Sequence, residues 1–575
     1  MIRLLRAFGD ATAFLRRSRV GWADLVVVAA LGGLLFAASR VAQGWTGALR
    51  PTVEIDLSPR ALPGYALLSL ARGLTAYVLS LAFTLVYGYW AAKDRIAERV
   101  LVPLLDVLQS VPVLGFMPGL VLALVALFPS SNAGLELAAI VMIFTGQAWN
   151  MTFSFYRSVR SVPADQLEVA RVYRFDWAER FRWVELPFSM IGLVWNSMMS
   201  MAGGWFFLMV SEAFVLGDKD FRLPGLGSYM SVAVAKGDVR AMAWAVLAMV
   251  LMIVALDQLL WRPVVVWSQK FRVEEGGAGE SAGSWFLDLL RRSRLLAYGG
   301  AAFEALGRWL SRLVPTARPR HGPPGWASRV LSGVLFAALV GLLLLGAYEL
   351  VRLLRVVPGR EWLTTTGAAL TTLVRVLVAT ALGTLWALPA GLAIGLSPRL
   401  SRALQPVVQV VASFPAPMLF PAAIWVLRSM GIGLGVGSVV LMLLGTQWYI
   451  LFNVVAGAMA VPADLREAAR SYNIRGVQLF RQLLFPAVLP YLVTGWVTAA
   501  GGAWNASIVS EYVTFQGREL ATFGLGARIS VAAGAANFPV LAASVVVMSA
   551  AVVVFNRLVW RPLNDVAERR FSLLR

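Results

Sequence analysis

The chain contains no cysteine and a single histidine, His321, among its 575 residues. The absence of cysteine excludes disulfides, thiol catalysis and cysteine-ligated metal sites, and one histidine argues against a histidine-based metal site or proton relay. Lysine is scarce as well, and its four positions are Lys93, Lys219, Lys236 and Lys270. None of the four lies in a Gly-x-x-x-x-Gly-Lys-Ser/Thr phosphate loop. The sequence therefore predicts no metal site, no cofactor and no ATP hydrolysis by the chain itself.

Charge is also scarce. Charged residues make up 14% of the chain, hydrophobic residues make up 59%, and the mean hydropathy is +0.71. An ordinary soluble protein carries roughly a quarter charged residues. Many apolar runs exceed the ~20 residues that cross a bilayer as a helix, and they are continuous, unlike the short alternating segments of a membrane β-barrel. The composition predicts a polytopic α-helical membrane protein.

The net charge of +20 has its source in arginines that cluster between the apolar runs. This distribution is typical of cytoplasmic loops that face anionic lipid, so it favours membrane lipid over nucleic acid as the partner. Residues 1–19 are basic and precede an apolar run without a clear cleavage site, which favours an uncleaved first span over a signal peptide. The loop charges predict that both termini are cytoplasmic.

Two segments of the chain are nearly the same. Val162 to Arg171 reads VPADQLEVAR and Val461 to Arg470 reads VPADLREAAR, an offset of 461 − 162 = 299. The same offset relates Trp149, Trp205, Glu212 and Gly225-Leu226-Gly227 to Trp448, Trp504, Glu511 and Gly524-Leu525-Gly526. An offset of 303 relates Arg72, Gly88 and Ser110-Val111-Pro112 to Arg375, Gly391 and Ser413-Phe414-Pro415. These matches predict a tandem duplication in parallel orientation.

The predicted fold is an all-α membrane protein of about 12 transmembrane helices, arranged as two tandem six-helix repeats. The first half covers 1–267, a cytoplasmic linker with an amphipathic helix covers 268–327, and the second half covers 328–575. The predicted spans lie near residues 22–42, 62–91, 101–128, 134–158, 188–214, 240–266, 328–352, 364–396, 402–428, 434–458, 487–512 and 536–560. Pairs of prolines predict kinks in the third span of each half.

The repeated segment has the features of a short helix followed by a turn and a second helix. Asp165 and Asp464 each follow Pro-Ala and precede alternating apolar and polar residues, which predicts that they are N-caps. About twenty residues later, Pro187 and Pro486 begin the next span. The pattern therefore predicts a helix-turn-helix at the cytoplasmic face in both halves.

This segment resembles the coupling-helix signature of type I ABC importer permeases, in which Glu-Ala-Ala is followed by a glycine and then by Leu-Pro. The second copy is close, with Glu467-Ala468-Ala469 and Phe485-Pro486, whereas the first has Val169 in place of alanine. Both copies lack the glycine. The resemblance implies that these helices dock onto two ATP-binding cassette ATPase subunits, which bind the ATP and magnesium. The implied coupling residues are Asp165, Glu168, Ala170, Arg171, Asp464, Glu467, Ala468, Ala469 and Arg470.

The Ser-Glu and Gly-Leu-Gly layout of both halves resembles the nitrate, sulfonate, taurine and bicarbonate subgroup of these permeases. The resemblance implies a permease of the bacterial inner membrane that imports a small, anionic solute delivered by a periplasmic or lipid-anchored solute-binding protein. The candidate residues for the translocation path or gate are Arg72, Arg375, Glu212, Glu511, Trp205 and Trp504. The two glutamates are equally compatible with structural hydrogen bonds, and the two arginines with helix ends that reach the interface.

Three other classes remain open from the sequence. A fused ferric-iron or thiamine-type permease also has double length, but the Ser-Glu and Gly-Leu-Gly layout disfavours it. An ion-coupled secondary transporter needs intramembrane ionisable groups, and only Glu212, Glu511 and Asp257 are placed for that role. A membrane-anchored signalling or scaffold protein would need a soluble sensory or catalytic domain, and none is visible in the sequence.

Overall fold

The computed structural model describes residues 54–216, 219–271, 283–293, 326–515 and 518–571, with a few single residues between Asp24 and Ala42. The predicted first span near 22–42, His321 and most of the predicted linker lie outside the described residues. The chain divides into two compact units. One comprises residues 1–44, 164–191 and 255–332, and the other comprises 45–163, 192–254 and 333–575.

Eight helices follow one another in the described part of the first half, and a ninth lies in the linker. They are α1 Pro59–Lys93, α2 Arg95–Ser110, α3 Val113–Leu127, α4 Ala133–Arg160, α5 Ala164–Val172, α6 Trp177–Glu212, α7 Leu226–Lys236, α8 Val239–Phe271 and α9 Trp285–Arg292. The second half repeats the order with α10 Trp326–Leu354, α11 Gly359–Leu396, α12 Pro398–Ser413, α13 Ala416–Ser429, α14 Leu434–Met459, α15 Ala463–Ser471, α16 Gly476–Ser510, α17 Leu525–Gly534 and α18 Phe538–Phe571.

Strands are few in the described residues, so the all-α fold class is confirmed. Two antiparallel hairpins interrupt the helices. The strands β1 Val215–Leu216 and β2 Lys219–Asp220 form the first, and β3 Tyr512–Phe515 and β4 Arg518–Ala521 form the second. The first hairpin connects α6 to α7, and the second connects α16 to α17. Both short helices, α7 and α17, begin at the leucine of a Gly-Leu-Gly segment.

The third predicted span of each half is broken. In the first half, the helix stops at Ser110 and a new one begins at Val113, and in the second half α12 and α13 meet at an angle of 84°. Pro112 and Pro415 explain the break, because each lacks a backbone N–H and disfavours helical geometry in the residue before it. Seven described helices are long and apolar enough to cross a membrane, or eight with the bent pair. The predicted number of twelve spans is therefore not confirmed.

The duplication extends to local helix geometry. A π-helical turn occurs at Phe181–Glu185 and at Phe480–Leu484, and a second pair occurs at Asp257–Trp261 and Asn556–Trp560. Both pairs keep the offset of 299 (480 − 181 and 556 − 257). Each π turn widens a long helix at one position, and such turns are frequent at functional sites. The π turns come before the apolar stretch of α6 and α16, and after the apolar stretch of α8 and α18.

Small residues allow the long helices of the second unit to pack closely. A Cβ atom at Gly88 of α1 would lie 3.0 Å from the Phe155 ring of α4, and one at Gly391 of α11 would lie 2.6 Å from Val454 of α14. Glycine at these matched positions brings the backbones together, which is how helices associate within a bilayer. In the second half, α11, α14 and α16 share a core that includes Ile450 and Val488.

The first unit contains α5, its following turn and the linker helix α9. Ser284 caps α9 by accepting a hydrogen bond from the Leu287 backbone N–H at 3.2 Å. Trp285 of α9 donates to Gln258 at 3.3 Å. Eight residues of the predicted amphipathic linker helix are thus helical, with the aromatic end of α9 bonded to the π turn of α8.

The predicted N-cap role is wrong for both repeated aspartates, Asp165 and Asp464. The helix α15 begins at Ala463, its N-cap is Pro462, and Asp464 lies inside the first turn, as Asp165 does in α5. Pro462 holds the backbone extended before α15, so the helix starts at Ala463, two residues earlier than an N-cap at Asp464 requires. A carboxylate in the first turn still interacts favourably with the helix dipole.

The turns after α5 and α15 contain a left-handed residue. Arg174 and Asn473 both have φ near +54°. The backbone N–H of Phe175 donates to the Ala170 carbonyl at 2.9 Å, and that of Ile474 donates to the Ala469 carbonyl at 2.8 Å. This helix ending favours glycine, because a Cβ atom is strained in the left-handed region. It lies where the family signature has its glycine, so the chain keeps the turn without the preferred residue.

We expect Arg174→Gly to stabilise the protein by about 1 kcal/mol, because it relieves the left-handed strain of a side chain with a Cβ atom. The matching change Asn473→Gly should stabilise less, since asparagine tolerates this region better. The thermal unfolding midpoint of the purified protein in detergent measures both. Arg174→Ala is the control, because it removes the charge but keeps the Cβ atom, and a stabilisation equal to that of glycine would contradict the explanation.

Candidate functional site

Arg72 lies at the centre of a buried ionic cluster in the first half. Its Nη1 donates to Glu212 Oε1 at 2.7 Å, and its Nε and Nη2 donate to the two Glu136 oxygens at 2.5 and 2.7 Å. The side chains of Arg72, Glu136 and Glu212 are 1%, 3% and 0% exposed. Charges buried to this degree are tolerated only when paired and hydrogen-bonded. The cluster therefore ties α1, α4 and the end of α6 together.

The same glutamate binds the segment that follows the hairpin. Glu212 Oε1 also accepts from Ser69 Oγ at 2.7 Å, and Glu212 Oε2 accepts from the Gly227 backbone N–H at 2.8 Å. The Ser69 hydroxyl accepts in turn from the Leu226 backbone N–H at 2.9 Å. The carboxylate and the Ser69 hydroxyl thus each accept from one backbone N–H at the beginning of α7, where the first helical N–H groups have no helical partner.

The second half repeats this arrangement. Glu511 Oε1 accepts from Arg375 Nη1 at 2.7 Å and from Thr372 Oγ1 at 2.8 Å, and its Oε2 accepts from the Gly526 backbone N–H at 2.8 Å. Thr372 also accepts from the Leu525 N–H at 2.8 Å. Ser69 and Thr372 are a matched pair, so the duplication conserves the hydroxyl as well as the ion pair between its two copies.

The first glycine of each Gly-Leu-Gly segment lies against the carboxylate. A Cβ atom at Gly225 would lie 2.3 Å from the Glu212 carboxylate, and one at Gly524 would lie 2.3 Å from that of Glu511. Both glycines are extended, so close approach rather than left-handed geometry requires them. The sequence pattern Ser-Glu followed by Gly-Leu-Gly thus corresponds to a direct contact.

The two clusters differ in charge. The residue that matches Glu136 in the second half is Gly435, and Arg375 Nε donates there to the Gly435 carbonyl at 3.2 Å. Arg375 Nη2 donates to Thr522 at 3.1 Å, and the Arg375 side chain is 11% exposed. Arg72 therefore faces two carboxylates and Arg375 faces one. Glu136 is not among the site residues predicted from the sequence. An acidic residue in an apolar segment, with no acidic residue at the matching position of the other half, is a signal that could have identified it.

A cavity of about 230 Å³ lies between matched helices of the two halves within the second unit. Its walls include Gly146, Trp149 and Gly203 from the first half and their partners Gly445, Trp448 and Gly502 from the second. The broken third spans reach it through Val113, Phe414 and Pro415. No charged side chain is among the described residues that line it. Neutral polar groups come from Gln109, Thr145, Asn150, Gln409, Thr446, Tyr449, Thr498 and Asn505.

The two halves touch across this cavity. The Val113 backbone N–H, at the start of α3, donates to Asn505 Oδ1 of α16 at 2.9 Å. A Cβ atom at Gly203 of α6 would lie 3.2 Å from the Tyr449 hydroxyl of α14. Asn505 therefore caps a helix of the other half. Its matched residue is Phe206, which has no amide to offer.

A second cavity of about 780 Å³ lies in the same unit, next to the hairpin strand β3. Its lining includes Arg222, Tyr512, Glu519 and prolines of α13. Burial, reinforced by a hydrogen bond to Glu519, raises the pKa of Tyr512 to about 12. The hydroxyl therefore stays protonated at neutral pH and donates to the Glu519 carboxylate.

The predicted path residues do not line either cavity in the part of the chain that the structure describes. Arg72, Arg375, Glu212 and Glu511 belong to the ionic clusters, which give each arginine a carboxylate partner. Trp205 is 2% exposed and packs against Gly73, and Trp504 is 3% exposed. The tryptophans that do line a cavity are Trp149 and Trp448, and their role as path residues stays a hypothesis.

The predicted coupling residues divide by exposure. Ala170 and Ala469 are buried, with 2% and 6% of their surface exposed. The side chains that point outward are those of Asp165, Glu168, Arg171, Asp464, Glu467, Ala468 and Arg470. Among the residues that the structure describes, no cluster of three or more metal-binding side chains occurs. These seven side chains are therefore the accessible part of the two repeated segments.

Duplicated membrane-spanning helices around a cavity shared by both halves are the architecture of a transport protein. The profile of the family described as "Binding-protein-dependent transport system inner membrane component" matches residues 84–260 and 380–570, more than half of the chain. The chain therefore belongs to this family of type I ABC permeases and contains its domain twice.

Curated relatives have names from the subgroup that the sequence resembles. The nitrate import permease protein of Synechocystis is 31% identical over 121 residues, which are 21% of this chain and 42% of the relative. The aliphatic sulfonates permease protein of Bacillus subtilis, whose curated name is marked putative, is 26% identical over 34% of this chain and 71% of the relative. The taurine permease protein of Escherichia coli is 27% identical over 27% of this chain and 52% of the relative.

The alignments with nitrate permeases are short. The chain spans 42% to 43% of the length of the nitrate relatives it matches. Since 121 residues are 42% of the Synechocystis protein, that protein has roughly 288 residues, about half of this chain's 575. The relatives thus have the length of one half, which agrees with a fusion of two permease units.

We expect Arg72→Met to destabilise the protein by about 3–5 kcal/mol, because it leaves two buried carboxylates without a cation. Arg375→Met should reduce the stability by less, since it leaves only the Glu511 carboxylate without its cation and the Arg375 side chain is partly exposed. The thermal unfolding midpoint in detergent measures both. Arg352→Met removes an exposed arginine that pairs with Glu349 and should change stability by less than about 0.5 kcal/mol. An effect of Arg375→Met equal to or larger than that of Arg72→Met would contradict the charge argument.

Proposed function

We propose that the chain is the complete permease of an ATP-driven importer of the bacterial inner membrane, with a translocation path between its two halves. The observation that carries the proposal is the continuity of α6 and α16. Each helix begins directly after a coupling segment and turn, and each contributes residues to the shared cavity, such as Gly203 and Gly502. Since α16 and the cavity lie in the same unit, a displacement at the start of α16 is transmitted along one continuous helix to the cavity wall.

The energy source in this proposal is a pair of ATP-binding cassette subunits on the cytoplasmic side, one for α5 and one for α15. The exposed acids Glu168 and Glu467 are placed for charge-assisted hydrogen bonds to such a partner. The π turns near the start of α6 and α16 are local departures from α-helical winding, which are frequent at functional sites. Both termini and both coupling helices face the cytoplasm in this arrangement.

The solute is a small anion or an anionic organic molecule, delivered by a periplasmic or lipid-anchored solute-binding protein. The names of the relatives support this class, as does the subgroup layout of both halves. We assign the Arg72 and Arg375 clusters a structural role at the outer gate. Their guanidinium groups are already paired, so they fix the hairpin and the Gly-Leu-Gly helix over the path rather than attract the solute.

The cavity assignment predicts that Gly501→Trp blocks transport. Gly501 lines the cavity and has no other atom within 4 Å of a Cβ position, so an indole fills the space without a backbone clash. Uptake of nitrate, bicarbonate, taurine and butanesulfonate by the reconstituted complex should fall at least tenfold. Gly119→Trp is the control, since Gly119 is exposed on α3 outside the lining. Wild-type uptake by the Gly501→Trp complex would rule out this path.

The coupling assignment predicts that Ala468→Trp uncouples ATP hydrolysis from transport. Ala468 is exposed on α15, and a bulky side chain there prevents close docking of the ATPase subunit. Solute-stimulated ATPase activity of the reconstituted complex should fall at least tenfold while the permease remains folded. Val356→Trp, at a residue that is 72% exposed in the loop before α11, should have no effect. Equal losses for both variants would point to misfolding instead.

A further inference from the structure

We propose that the shared cavity selects an organic solute with a polar head and an apolar body, and that the two halves divide this recognition. Phe206 and Met199 of the first half contact the apolar body, and Asn505 and Thr498 of the second half bind the head. The inference rests on the proposed function, because it assigns a solute class to the same cavity. A compact inorganic anion such as nitrate is the weaker ligand in this assignment.

The division follows from matched positions that line one cavity but differ in chemistry. Met199 and Phe206 on α6 correspond to Thr498 and Asn505 on α16. Duplicated helices that border a common space present matched residues from its two sides. At both of these positions the first half has an apolar side chain and the second half a hydrogen-bonding one.

Neighbouring positions extend the apolar side. Phe207 lies next to Phe206 in the lining, and its ring occupies the space in front of Gly146, where a Cβ atom would be 2.3 Å away. Its matched residue, Ala506, is small. The polar residues that the first half contributes, Gln109, Thr145 and Asn150, lie on α2 and α4 rather than on α6. The cavity is therefore apolar mainly along the stretch that α6 forms.

Asn505 is oriented to act as a donor. Its Oδ1 accepts from the Val113 N–H, and its Nδ2 donates to the Gly501 carbonyl at 3.3 Å. An amide nitrogen carries two protons, so one N–H is available to a bound solute. The contact with α3 fixes the direction of the amide, which reduces the entropy lost when a solute binds.

The uncharged lining decides between solute classes. A small anion that loses its water here gains only neutral donors in return, and desolvating a charge without a counter-charge is unfavourable. A solute with an apolar body recovers binding free energy from the phenylalanine side, roughly fourfold in affinity for each buried methylene group. The volume of about 230 Å³ far exceeds what one water needs, about 10–15 Å³, so it leaves room for such a body.

The experiment measures binding to the full chain in lipid nanodiscs by calorimetry. The probes are the sodium salts of methane-, ethane-, propane- and butanesulfonate, together with sodium nitrate. In the wild type, Kd should fall roughly fourfold for each added methylene group, and nitrate should bind more weakly than butanesulfonate. Phe206→Asn should reduce this gain to less than twofold per methylene. Asn505→Phe should weaken every sulfonate while keeping the gain with chain length.

Phe128→Asn is the matched control, because Phe128 lies outside the cavity lining, and it should behave as the wild type. An unchanged chain-length series in Phe206→Asn, or nitrate binding as tight as that of butanesulfonate, would overturn the proposal. Absence of binding by any sulfonate to the wild type would overturn it as well. The Gly501→Trp uptake experiment decides separately whether the cavity is the path, so the two failures are distinguishable.

Discussion

The buried pairing of an arginine with a glutamate, present once in each half, is the interaction on which the described structure depends most. A carboxylate at the end of α6 or α16 is stable away from water only with a cation and several donors around it. Glu212 obtains these from α1 and from the beginning of α7, and Glu511 obtains them from α11 and from the beginning of α17. The requirement thus fixes the position of three helices and of the hairpin between them.

Around this repeated framework, several matched positions of the two halves differ in charge or polarity. Glu136 is replaced by Gly435, so one cluster carries an extra carboxylate. Phe206 is replaced by Asn505, so the wall of the shared cavity changes from apolar to polar. A homodimer of identical halves has no means of making these differences. Fusion into one chain allows each half to vary while the pairing between them remains fixed.

Much of the fold is readable from the residues because it depends on local rules. Long apolar runs predict the helices that are found at α1, α6, α8, α11, α14, α16 and α18. Proline predicts the break between α12 and α13, although not its angle of 84°. The placement of Asp464 as an N-cap failed because Pro462 is the N-cap, so the helix starts two residues earlier than expected. The count of spans is the least local prediction, since it depends on which helices lie in the bilayer together.

The duplication, the helical fold class, the repeated VPAD segment and the family can all be read from the amino-acid sequence, because each is encoded in residue order and spacing. Which residues contact one another over long sequence separations becomes known from the three-dimensional packing alone. Arg72 and Glu136 are 64 residues apart, and Val113 and Asn505 are 392 apart. Such contacts depend on how helices pack, and no periodicity of the chain specifies them. For the same reason, the cavity-lining role of Asn505 appears only when the two halves are seen together.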